Sequence, residues 1–144
     1  KKQDIQILTA NNESGKITKD TIETAFKSNG FLISGNNNMN APFKIRFKAG
    51  NDFKMYRLMF VYNPVLSSKL AKQYPSIGLL APLSTSVYSK DGKTINISSL
   101  TLKGMSKITK IPETNKDLIA IYDNMQKALK DALPNGKFQR SEER

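Results

Sequence analysis

Between residues 115 and 133 the apolar side chains recur at steps of three and four: Leu118, Ile121, Tyr122, Met125, Ala128, Leu129 and Ala132. That spacing winds them onto one stripe of an α-helix, and such a stripe has to be laid against another surface. Thr114 and Asp117 have the pattern of a capping box at its start, and Pro134-Asn135-Gly136 ends it. The partner surface lies upstream, in short runs that predict strands. Residues 43–48 put Phe43, Ile45 and Phe47 on one side and Lys44, Arg46 and Lys48 on the other, a half-buried strand with a basic outer face. Met55 to Tyr62 is more continuously apolar and predicts a more central strand. Strand signals return at Ile77–Leu80 and Thr85–Ser89. Asp91-Gly92 then predicts a hairpin into a strand at 93–102, with Ile95 and Ile97 on one face.

The N-terminal third adds a strand and a helix. Residues 4–9 predict the first strand, and residues 11–15 a turn. Thr18 is placed to cap a helix over 19–29, with Ile17 and Ile22 as its hydrophobic staple and Ile22, Ala25 and Phe26 on its buried face. Gly30 suits the left-handed stop. Phe31, Leu32 and Ile33 predict another strand, and Gly35–Asn40 a loop. Asn63-Pro64 predicts the start of a short helix reaching Gln73, since Asn caps well and Pro loses nothing at the first helical position. With no internal repeat and no linker, residues 1–136 form one α+β domain followed by a frayed polar tail at 137–144.

The series Tyr62-Asn63-Pro64, Ser76-Ile77-Gly78-Leu79-Leu80-Ala81-Pro82, and Val87-Tyr88 with Asp91-Gly92 resembles the core of the domain-of-unknown-function 302 family in order and spacing. The helix ending at Gly30-Phe31 and the helix after the hairpin fit the same pattern. The resemblance implies a β-α-β(4)-α order in which a curved, mostly antiparallel sheet is backed by helices, like that of TATA-box-binding proteins. The short helix near 64–73 is extra to it. Many relatives carry Cys where this chain has Tyr62 and Leu83, and an acidic residue where it has Ser89. No thiol, redox or metal role of such relatives carries over.

The inventory of reactive side chains is thin. The 144 residues include no Cys and no His, which removes thiolate nucleophiles, the usual neutral-pH base and the commonest transition-metal ligands. No catalytic residues, metal ligands or cofactor follow from what is left, and a non-enzymatic domain is the expectation. Lys and Arg outnumber Asp and Glu by 23 to 12, a net charge of +11. The excess is spread along the whole chain, which points to a solvated basic surface rather than a nucleic-acid footprint. No apolar run is long enough to span a membrane. The absence of Cys and a first residue other than Met are read as export to the periplasm, with the cytoplasm as the alternative.

Two sets of residues are candidates for a site. Tyr56, Tyr62 and Tyr88, together with Asn63 at its helix start, could line a pocket between sheet and helices, with tyrosine hydroxyls near water. Tyr74 could join them. Ordinary packing accounts for the same residues. The alternative set is Lys44, Arg46, Lys48, Lys54 and Arg57, interleaved with Phe43, Phe47, Phe53 and Tyr56, which would suit nucleic acid or an anionic membrane. The alternation at 43–48 opposes rings and charges, which argues against base stacking there. Gly15-Lys16 lacks the remaining phosphate-loop residues, Asn12 and Asn96 are glycosylation sequons by pattern only, and Asp117 reads as a cap. The expected function is an accessory domain that binds a small apolar or amphipathic ligand or a protein partner, with a homodimer as one form.

Overall fold

Thr18 opens the first helix as its spacing predicts: its hydroxyl accepts from the Thr21 amide, and the Thr21 hydroxyl accepts from the Thr18 amide. The computed structural model describes residues 3–40 and 53–139. In chain order these form β1 (Ile5–Asn11), α1 (Lys19–Lys27), β2 (Leu32–Asn38), β3 (Met55–Tyr62), α2 (Pro64–Ala71), a 3-10 helix (Pro75–Leu80), β4 (Leu83–Ser89), β5 (Thr94–Leu100), α3 (Leu102–Thr109), α4 (Lys116–Ala132) and β6 (Lys137–Phe138). The six strands make one open sheet in the order β2-β3-β4-β5-β1-β6, antiparallel at every junction. The predicted strand at 43–48 lies outside the described residues.

Period two sorts the sheet into two faces. Leu8, Ala10, Met59, Val61, Leu83, Val87, Ile95 and Ile97 are buried in one cluster with the stripe of α4, which is Leu118, Ile121, Met125, Ala128, Leu129 and Ala132. Each larger side chain buried there contributes about 1.5–3 kcal/mol of transfer free energy. α1 packs beside α4 and adds Ile22, Ala25 and Phe26. Polar links fix the layers to each other. Gln6 of β1 donates from Nε2 to Gln126 Oε1 of α4 at 2.7 Å, and Asn29 after α1 donates to Asp131 of α4 at 3.0 Å.

Five local expectations differ from what the structure shows. The composition of Gly35–Asn40 predicts a loop, yet β2 runs through Asn38, because β3 supplies hydrogen-bonding partners that override the asparagines' poor strand preference. Ile77–Leu80 has the composition of a strand and is a 3-10 helix that starts on Pro75; its buried residues, Ile77 and Leu80, are three apart, as one turn of that helix requires. The return strand stops at Leu100, and Thr101 caps a further helix, α3, by accepting from the Gly104 amide. The cap of α4 is Asn115, not Thr114: its Oδ1 accepts from the amides of both Asp117 and Leu118. The tail begins as a strand, with Lys137 and Phe138 paired to Thr9 and Leu8 of β1. The hairpin falls where predicted, with Gly92 at φ 78° and Asp91 Oδ1 accepting from the amides of Lys93 and Thr94.

Candidate functional site

Arg57 is the residue that organises the candidate site. It lies in phase with Met55, Met59 and Val61 on β3, so the pleat turns a cation toward the helix side of the sheet. Beside it, an irregularity in β2 between Ile33 and Gly35 shifts the pairing, so that Asn36 stands opposite Met59 on that same side. Arg57 Nε donates to Asn36 Oδ1 at 2.8 Å, and one terminal nitrogen donates to the Asn36 main-chain oxygen at 3.0 Å. Asn36 Nδ2 in turn donates to Glu23 of α1 at 2.9 Å, and Lys19 pairs with Glu23 at 3.0 Å.

These residues border a cleft of about 280 Å³ where the N-terminal end of α1 approaches β3, β4 and β5. Ile17, Ile22, Met55, Val87 and Ile95 make its apolar wall, while Lys19, Lys54, Arg57, Asn12 and Asn36 supply its polar side. Asn12 is held in place by the turn before α1, giving to the Ile17 oxygen and receiving from the Ile17 amide.

Glu23 is the carboxylate nearest this cluster, and its charge is already answered. Burial pushes its pKa up, but hydrogen bonds from Lys19 and Asn36 and the charges of Lys19 and Lys27 outweigh that and hold it below the ordinary glutamate value. A depressed folded-state pKa stabilises the fold fully above the unfolded value, and the contribution is lost as pH falls through the folded value. Thermal melts of wild type and Glu23→Gln should therefore differ most near neutral pH, and the gap should close as the pH falls below the ordinary glutamate value. A gap that stays constant down to acid pH would show that the Glu23 charge has no part in it.

The tyrosines occupy other places. Tyr56 and Tyr88 come together on the sheet face turned away from the helices, with ring centroids 6.1 Å apart, and Phe53 sits 5.5 Å from each. They do not lie between sheet and helices, because they are out of phase with the buried Met59 and Val87. The three rings pack on one another, and Lys90 lies over Phe53 at 5.9 Å. Tyr62 is six residues along β3 from Tyr56, roughly 20 Å away at the usual strand rise. Tyr74 precedes the 3-10 helix and packs against the core.

Asn63 is a buried helix cap. Its Oδ1 accepts from the Leu66 amide at 2.9 Å and it is 6% exposed, an arrangement worth about 1 kcal/mol to the helix. Of the basic set, Lys54 and Arg57 reach the cleft, and Lys44, Arg46 and Lys48 lie outside the described residues. Asn12, Lys19 and Asn36 were not foreseen as site residues. A shallower groove of about 290 Å³ crosses the outer face between Ile5, Tyr56, Leu58 and the serines Ser84, Ser86 and Ser98.

Among the described residues, no group of three metal-ligating side chains comes together, and no helix is long and apolar enough to cross a membrane. The fold defines a class: an α+β domain whose described residues form an open, six-stranded antiparallel sheet with helices on one side. The family described as domain of unknown function DUF302 matches residues 8–132, and the chain belongs to it. The fold is similar to that of an uncharacterized conserved DUF302 protein from Bacillus stearothermophilus, with a TM-score of 0.70 and 14% sequence identity over 88% of this chain and 95% of that one. No curated protein matches the chain.

Proposed function

We propose that this domain is a non-enzymatic binding module that takes a small amphipathic ligand in the cleft between α1 and the sheet. The observation that carries the reading is the cleft itself: a concave space of about 280 Å³ with an apolar wall on one side and fixed polar groups on the other. Sites for small molecules have this composition, apolar for the most part with a few polar groups that set orientation. The size suits a compact ligand. The chain's lack of Cys and His limits what chemistry could be done on such a ligand, so binding rather than turnover is the proposed role. Export to the periplasm belongs to the same proposal, and fractionation of cells expressing the full gene tests it.

Nucleic-acid binding is the weaker reading. The aromatic residues of the outer face pack on one another, which leaves less ring face for bases.

A filling substitution tests the cleft. Val87 is 2% exposed on β4 and forms part of the apolar wall. Val87→Phe should project its ring into the cleft and keep the fold at a cost of about 1–3 kcal/mol. Titrations followed by NMR with short amphiphiles such as octanol and octanoate should show binding to wild type and its loss in the variant. Binding that persists undiminished in folded Val87→Phe would place the ligand elsewhere.

A further inference from the structure

We propose that the cleft selects anions, with Arg57 as the receptor for an oxyanion headgroup and the apolar wall as the seat of its tail; this rests on the cleft being the binding site. A guanidinium turned toward the core side of a sheet is normally matched by a carboxylate, because a desolvated charge is costly when left unanswered. Both hydrogen bonds of Arg57 run instead to neutral oxygens of Asn36, and among the described residues no carboxylate is paired with it. The guanidinium is thus held in position without being neutralised. It has five N–H donors, of which these two contacts employ two.

The surrounding groups reinforce the selection. The amide of Asn36 is oriented by its own donation to Glu23, so its oxygen stays turned to Arg57. Glu23 is paired with Lys19 at 3.0 Å and Lys27 at 4.0 Å, so it offers little attraction to a cationic ligand. Asp91, next to Gly92 at the cleft edge, is engaged by the amides of its own turn. Lys54 adds a third positive charge to those of Lys19 and Arg57. Half-buried Ile17 and Met55, floored by the buried Ile22, Val87 and Ile95, give the cleft an apolar side next to these charges. A carboxylate or a phosphate monoester on a short alkyl chain meets every one of these features. A neutral alcohol of the same length meets the apolar ones and can accept a hydrogen bond, but it brings no charge to answer Arg57.

The test compares octanoate, octyl phosphate and 1-octanol by calorimetry or NMR on the whole chain. One or both anions should bind at least about tenfold more tightly than octanol, the strength of a hydrogen-bonded charge contact in a sheltered site. The stronger of the two identifies the headgroup. Arg57→Gln should remove that preference, so that both anions bind the variant no more tightly than octanol does. Lys54 is exposed, so Lys54→Gln keeps the fold and should weaken the anions by about twofold to threefold. Octanol binding as tightly as both anions overturns the selection and leaves the cleft standing. Failure of all three amphiphiles to bind overturns the cleft as well. An anion preference that survives folded Arg57→Gln overturns the role given to that residue.

Discussion

Phe26→Ala should cost about 4 kcal/mol, the middle of the range for removing a large aromatic ring from a packed core. Phe26 has no exposed surface, and its ring meets Phe31 edge-on with centroids 5.8 Å apart. It sits on the face of α1 that is buried against α4, beside Ile22 and Ala25. The loss combines the transfer free energy of the ring, an edge-to-face contact worth about 1 kcal/mol, and a cavity that two helices cannot close without moving. In a domain of this size the melting temperature should fall by roughly 10 °C or more. Val65→Ala is the control: Val65 is 69% exposed on α2, and its loss should stay within about 0.5 kcal/mol. The effect should also reach the cleft, because α1 carries Lys19, Ile22 and Glu23. A Phe26→Ala protein that melts within a degree or two of wild type would mean that α1 is not packed on α4 as described.

How far the fold and the site were legible depends on the range of the interactions involved. α1 and α4 could be read because a 3.6-residue period is a property of one segment, and six of the seven stripe residues of α4 are buried. The hairpin at Asp91-Gly92 could be read because its turn chemistry is local. The 3-10 helix could not be told from a strand by composition, since Ile77, Leu79 and Leu80 suit either. The spacing of Ile77 and Leu80 after Pro75 carried the information. α3 was hidden by its Ser, Thr and Gly, although Thr101 three residues before Gly104 is an N-cap signal. For the site, one clue was in the sequence: Arg57 is a cation in step with Met59 and Val61 on a strand of otherwise apolar residues. Its partner could not be inferred. That Asn36 faces Arg57 depends on β2 lying beside β3 and on the shift in pairing after Ile33, both of them non-local. Composition marked the asparagine run as a loop, and pairing with β3 made it a strand.

Gly104→Ala should destabilise the protein even though alanine is the better helix former. On an exposed helix the change gains about 1 kcal/mol. Here a Cβ at Gly104 would collide with the main-chain oxygen of Asp4 and come 3.1 Å from its carbonyl carbon and 3.2 Å from a Leu100 methyl. No side-chain rotation relieves a contact with backbone. The Asp4 oxygen is itself fixed, since it accepts from the Thr101 amide at 2.9 Å, and the Thr101 hydroxyl donates to the Gln3 oxygen at 2.6 Å. Separating α3 from the start of β1 would therefore break the hydrogen bonds that hold the end of β5 to the entry of β1, together with the Lys107–Asp4 pair at 3.0 Å. The strain of overpacking, about 3 kcal/mol, exceeds the gain in helix preference, so the net loss should be about 2 kcal/mol. That corresponds to a melting temperature lower by roughly 5 °C. Gly78→Ala serves as the contrast, because a Cβ there meets nothing within 4 Å and should leave the melting temperature nearly unchanged. Equal stability of the two variants would show that α3 does not approach β1 closely enough to need a glycine.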